Sequence, residues 1–362
     1  MIVFVIVIVA LALFRMKFSD KGTCFENFLD RSQTNAIKGV FILLVFLRHV
    51  LQYVQKSGYE FDAPGDAIVA SLNMYLGQFI VVMFLFYSGY GVMEAIKNKG
   101  RDYINSIPRN RILGTLLNFS VAVLCYLAID YLLSIPVTPV QVLESLVGWE
   151  SVGNSNWYIF VIMLCYLVTY LAFRFFEKKV ILLCVIGGGA WLFLFLLKPA
   201  YWSNTMGAYF AGIFFSVYKD KVVSLWKKYY YWCLLMTMSL FGLISAFLMK
   251  LPFAGNVSHN MAAVVLSLLI VQLTMKIKIS NSPLIWFGVN LFPLYIYQRL
   301  LMIVLYEFDN GTFVRENSLI YMVVCFVGMC VFGMCFKYWQ ISLKPKPVVL
   351  DSVDISAGNG RM

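Results

Sequence analysis

Charge is scarce in this chain of 362 residues: Asp, Glu, Lys and Arg together make up 13% of it, against about a quarter in soluble domains. Histidine is scarcer still. His49 and His259 are the only two, too few for a His-rich metal site. The eight cysteines fall mostly inside apolar runs, with neither CxxC spacing nor clustering in outer loops. That pattern argues against a thiolate metal site and a disulfide framework, and leaves them as small packing residues; no metal is expected. No internal repeat at fixed period is visible, although inverted-repeat symmetry is weak in sequence and stays compatible with the chain. What is abundant is apolar: 61% hydrophobic and 17% aromatic residues, with a mean hydropathy of +0.79. An excess of that size, spread along the whole chain, is more than one buried core can use. It excludes a soluble enzyme, a disordered protein and a small secreted scaffold, and implies an all-α polytopic membrane protein.

A membrane span needs about 20 predominantly apolar residues. Ten stretches qualify, near 36–54, 67–93, 112–133, 157–173, 180–197, 204–218, 229–249, 260–275, 284–306 and 318–336. The expected fold is therefore a bundle of about 10 transmembrane helices. Before it, residues 1–19 form a hydrophobic segment whose apolar run Met1–Phe14 ends at Arg15 and Lys17. It lacks the basic n-region and small-residue cleavage site of a signal peptide. We read it as a short extra span, with a half-inserted anchor as the alternative. Residues 20–340 make the membrane domain, and 341–362, with Pro345, Pro347 and Ser/Gly-rich ends, read as a disordered tail.

The sparse charge is sorted by position. Segments 15–38, 97–111, 174–179, 219–228, 276–278 and 337–361 hold 23 of the 29 Lys and Arg, while the 18 carboxylates divide nine to each side. Every second connection is thus basic. The Lys/Arg bias places these connections and the C-terminus in the cytoplasm of a protein of the plasma membrane. Most of the net +11 becomes topology, and no nucleic-acid partner is implied. The longest outer connection, 134–156, has no Lys or Arg and carries Glu144, Glu150 and the polar run Gly153-Asn154-Ser155-Asn156. It is the best candidate for contact with something outside.

Ionisable groups inside spans are costly and are functional hypotheses by default. Lys38 and His49 are eleven residues apart in the first long span, which puts them roughly 20° apart on one helix face and about 16 Å apart along the axis. Asn35, Gln52 and Tyr53 fall near the same face, so one polar stripe runs the length of an otherwise apolar helix. The plain structural alternative is that Lys38 snorkels to the headgroups and His49 makes one interhelical hydrogen bond. The next span ends in Phe86-Tyr87-Ser88-Gly89-Tyr90 and leads to a basic stretch with Arg109 and Arg111. Its Ser and Gly suit close helix packing, and its cations suit a phosphate-bearing ligand. In the ninth span Arg299, beside Gln298, sits well inside and not at the edge, where snorkelling alone does not explain it. Arg299 and His49 fall at one depth in helices running the same way; Asp130 is the other candidate partner for Arg299.

These stretches, in this order, resemble the acyltransferase-3 family of multi-pass membrane O-acyltransferases. Lys38-x10-His49 matches the family's basic residue and histidine in the first helix. Phe86–Tyr90 looks like its aromatic–Ser-Gly-aromatic element, Asn156-Trp157-Tyr158 its Trp-led span after the long outer loop, and Gly288 to Gln298, with Tyr295, its late Gly…Tyr element. Two positions depart: Arg109-Asn-Arg111 is tighter than the usual Arg-x-x-Arg, and Gln298-Arg299 stands where a histidine is common. The resemblance implies transfer of an acyl group, usually acetyl from cytosolic acetyl-CoA, to a hydroxyl of a sugar-containing envelope or surface polysaccharide. It makes His49 the general base or the acyl carrier, a role suited to a side chain that titrates near neutral pH. Arg299 would stabilise the oxyanion. Lys38, Arg109, Arg111 and Ser88 would hold the donor, and Gln298, Tyr295, Asn156 and Trp157 the acceptor. Partners are then the bilayer, acyl-CoA and a carbohydrate, with no permanently bound cofactor. The rival from another class is a transporter or flippase of an envelope glycolipid or small acylated molecule, which would use the same buried Lys38, His49 and Arg299 as its path.

Overall fold

In the computed structural model the long apolar runs are helices, and the described residues are 1–175, 179–250, 255–279, 281–338 and 340. The proposed tail, 341–362, lies outside them. The chain opens with α1 (Ile2–Leu13), followed by α2 (Arg31–Lys56), which Asp30 caps by accepting the backbone N–H of Gln33 at 2.6 Å. Helices α3 (Pro64–Leu76), α4 (Val82–Ile107) and α5 (Gly114–Leu132) follow, joined by a 3₁₀ turn at Gly77–Val81 and a π turn at Pro108–Leu113. A short α6 (Pro139–Leu146) lies in the long loop before α7 (Trp157–Phe175) and α8 (Lys179–Leu197). The rest comprises α9 (Gly207–Lys228), α10 (Tyr230–Ala246), α11 (Gly255–Lys276), α12 (Ser282–Val289), α13 (Leu291–Tyr297), α14 (Leu300–Glu307), α15 (Thr312–Glu316) and α16 (Ser318–Tyr338). A two-residue antiparallel ladder pairs β1 (Lys17–Phe18) with β2 (Ile277–Lys278), Lys17 opposite Lys278.

Among the described residues six helices are long and apolar enough to cross a membrane, or up to eight if each of two bent pairs is one span. The expected count of about ten is not reached, and the reason is local. The second and third expected stretches share one helical run, Pro64–Leu132, of 69 residues. Gly77 (φ 44°) and Gly100 (φ 57°) interrupt it. The sixth and seventh stretches share a pair bent by 106° between Lys228 and Tyr230. Apolar length finds helices; it does not count crossings where helices merge or fold back. At 12 residues α1 is about 18 Å long, short of a hydrocarbon core of about 30 Å. Its Phe4 packs on Phe46 of α2 and Phe326 of α16, with ring centroids 5.3 and 5.5 Å apart.

The most buried candidate span is α2 and the least is α8, which exposes Ile181, Val185 and Leu196. Glycines let α2 and α4 approach their neighbours closely. A Cβ on Gly288 of α12 would overlap the carbonyl oxygen of Asn35, and one on Gly39 that of Leu284. On the other side of the bundle, Gly89 of α4 faces the carbonyl oxygen of Tyr209, and Gly212 of α9 that of Phe86. The glycine in the Ser88-Gly89 motif is thus a packing residue. The ninth expected span breaks twice. Pro293 has no N–H for the Val289 carbonyl, and the chain bends by 66° between α12 and the run Leu291–Glu307 that holds α13 and α14. Asn290 at the bend accepts a hydrogen bond from Lys337 Nζ at 2.7 Å. The second break, at Gln298–Arg299, separates α13 from α14.

Candidate active site

The second break turns two polar residues toward α2. Backbone carbonyls beside it are held by side chains: Gln298 Nε2 donates to Tyr295 O at 3.0 Å, and the Tyr126 hydroxyl to Ile296 O at 3.0 Å. Irregular backbone at such depth is tolerated where protein satisfies it or where it lines a cavity. His49 is buried, with Nε2 3.4 Å from Ser155 Oγ and its ring 6.4 Å from that of Tyr295. The charges of Arg299 and Arg48 act on the imidazole, and the Gln298 side chain approaches it as a hydrogen-bonding neighbour. Among the described residues neither His49 Nδ1 nor Gln298 Oε1 makes a well-formed hydrogen bond. Arg299 donates through Nη2 to the Tyr53 hydroxyl at 3.1 Å, and its guanidinium lies 5.3 Å from the Tyr53 ring centroid. No ion pair involves Arg299 among the described residues.

His49, Tyr295, Gln298 and Arg299 are thus brought together from α2 and the α13–α14 break. Ser88 is not beside them. It interacts with the Tyr158 hydroxyl, and the Tyr158 ring packs on Tyr295 at 5.2 Å. A row of two tyrosines therefore connects Ser88 with the histidine. Asn156 Nδ2 donates to Gly148 O at 2.9 Å, and Trp157 packs edge-on to both Tyr158 and Tyr201. The sequence motifs contain Ser155 and Tyr158 but give neither a role in the site. The signal for Ser155 was the polar run it belongs to. For Tyr158 it was the Trp-led element Asn156-Trp157-Tyr158, within which no role was given to it.

At the other end of the α2 stripe, Lys38 is half-buried and faces the positive charge of Arg111. Arg111 sits on the π turn and donates through Nε to the Tyr103 hydroxyl at 3.1 Å, with the Tyr166 ring 5.8 Å from its guanidinium. Lys38 makes no ion pair among the described residues, so no carboxylate compensates the two cations. Arg109, exposed on the same turn, is not part of that pair. An uncompensated Lys–Arg pair walled by phenols suits an anion with several oxygens.

Beyond His49, toward Lys56, a cavity of about 330 Å³ opens beside Arg299. It is lined by α2, α5, α14 and the 134–156 loop, including Gln52, Tyr53, Lys56, Asp130 and Gln141. The loop is ordered by its own polar run. Ser151 Oγ donates to Asn154 O at 2.7 Å, and Asn154 Oδ1 accepts the Val152 N–H at 3.1 Å. Gly153, at φ 81°, lies against Ile303 where a side chain would not fit. Asp130 and Arg299 share this cavity without forming an ion pair.

Residues 31–338 match the model of a family described as an acyltransferase domain. No curated protein and no solved structure shows significant similarity to the chain.

Proposed function

The chain belongs to the acyltransferase-3 family, and on that premise we propose that this membrane acyltransferase moves an acetyl group from cytosolic acetyl-CoA to a hydroxyl of a sugar-containing acceptor at the outer side of the plasma membrane. The observation that carries the reading is the placement of one buried histidine between two unlike sites. On one side is an uncompensated cation pair, Lys38 and Arg111; on the other is a polar cavity beside Arg299. The excess of Lys and Arg on the connections at the Lys38 end supports a cytoplasmic assignment for that end and for the C-terminus. The anionic groups of CoA then meet Lys38, Arg111 and Arg109, with Ser88 on the path between the donor and His49.

In the reaction the acceptor hydroxyl oxygen attacks the thioester carbonyl, and His49 takes the hydroxyl proton. Arg299 stabilises the oxyanion of the tetrahedral intermediate. The C–S bond breaks, the proton passes from His49 to the departing thiolate, and ester and free CoA result. Gln298 and Tyr295 orient the imidazole and the acceptor; Asn156 and Trp157 support this wall through the fold of the outer loop. Purified protein in detergent, given acetyl-CoA and candidate sugars, tests the reading. Ester formation should be lost in a His49→Ala protein that keeps the wild-type elution profile and melting temperature. Full transfer by that variant would remove His49 from the chemistry.

A further inference from the structure

One carboxylate lining the cavity has no partner among the described residues. Asp130, in the last turn of α5, is 4% exposed. Its backbone carbonyl accepts the Ile135 N–H at 2.8 Å, but its carboxylate makes neither a hydrogen bond nor an ion pair among the described residues. The other charged groups lining the cavity are engaged. Lys56 Nζ lies 3.3 Å from Glu307, and Arg299 holds Tyr53. Gln141 Nε2 donates to Ser151 O at 3.0 Å. Asp130 lines the cavity with no donors of the described residues on its carboxylate, so a ligand held there can supply them.

The lining also limits what that ligand is. Two cations, Lys56 and Arg299, face two carboxylates, Asp130 and Glu307, so the cavity is formally neutral. A cationic ligand would meet Arg299, and an anionic one would meet both carboxylates. A neutral, hydroxyl-rich molecule suits the set, because neighbouring ring hydroxyls can donate to the two oxygens of one carboxylate. Gln52 and Lys56 lie three and seven residues beyond His49 on α2, one and two turns along the same face, so the floor of the cavity is roughly 5 Å in axial rise from the histidine. A sugar held there by one hydroxyl presents the next toward Arg299 and His49.

We propose that Asp130 is the acceptor-binding and specificity residue: its carboxylate accepts hydroxyl hydrogens of a neutral sugar and thereby selects which ring hydroxyl is acylated. This rests on the acyl-CoA reading above. The test uses the full-length protein in detergent with acetyl-CoA, a set of neutral methyl hexopyranosides and their disaccharides, and the matching 2-amino-2-deoxy and uronic acid sugars. CoA release and the position of the ester are read together. Wild type should respond saturably to neutral sugars over the charged ones. Asp130→Asn should raise the sugar KM about tenfold or more with no matching rise in the acetyl-CoA KM, and should scatter the ester over several hydroxyls; Asp130→Glu should restore part of the selectivity. Should Asp130→Asn fail to fold, labelling of wild-type Asp130 by a carbodiimide, read by peptide mass spectrometry, should be protected by the neutral sugars. Unchanged KM and regiochemistry, absence of protection, or preference for a charged sugar each overturns the proposal while leaving the acyl-CoA reading standing. No CoA release from wild type under any condition overturns both.

Discussion

At one end of the polar stripe on α2, Lys38 faces Arg111 with no carboxylate of the described residues paired to either, and phenol groups from Tyr103 and Tyr166 complete the wall. Eleven residues on, the cations are tied down. Arg48 donates to the backbone and side-chain oxygens of Asn73 at 2.7 and 3.0 Å, and Arg299 holds Tyr53. Asp130 and Glu307 balance the charge of the cavity beyond. One helix thus carries two basic sites of opposite character. Positive charge left uncompensated binds anions; positive charge fixed by hydrogen bonds in a neutral surrounding orients and polarises.

The contrast makes the two ends separable by experiment. The largest effect is expected at the histidine: His49→Ala should lower kcat by about 10²–10⁴-fold, measured by ester formation, while labelled acetyl-CoA still binds. Loss of donor binding as well would merge the two sites into one. Arg299→Met should come next, lowering kcat by about 10²–10³-fold with a small change in donor KM. A larger effect on donor KM than on kcat would show that this guanidinium belongs to the anion site. At the Lys38 end, Lys38→Met and Arg111→Met should each raise the acetyl-CoA KM about tenfold. The wild-type KM should itself rise between low and high salt, and less steeply in the variants. The smallest effect is expected between the ends. Tyr158→Phe removes one neutral hydrogen-bonding contact with Ser88, worth about 0.5–1.5 kcal/mol, and should change kcat by no more than about tenfold. A loss comparable to that of His49→Ala would make Ser88 part of the chemistry.

Much of this arrangement was legible in the sequence, because the bilayer leaves few places for a charge. The stripe from Lys38 to His49 follows from helical period alone, and the shared depth of His49 and Arg299 from span order. The structure places Arg299 among the charges acting on His49, and Asp130, the other candidate partner, across the cavity without an ion pair. Less was legible where polar groups serve the backbone. Asn156, read as an acceptor residue, spends its amide on Gly148, and the polar run around it orders its own loop. The helix break at Gln298–Arg299 has no residue-level signal, since the proline responsible for the first bend lies five residues before Gln298. Nor does local pattern reveal that the π turn carries Arg111, and not Arg109, to Lys38. The number of separate helices differs from the number of apolar stretches for a related reason: apolar stretches look alike whether a helix ends between them or continues.

The bare Lys38–Arg111 pair has a consequence for turnover. Two like charges held together by the fold alone push on the helix and the turn that carry them. An arriving polyanion relaxes that push, so this end should draw together when loaded and loosen when empty. Under the proposed assignment the spent carrier keeps the phosphates that the donor brought. It should therefore grip this site nearly as well as the donor does, compete with it, and let its own departure set the pace of each cycle when it accumulates.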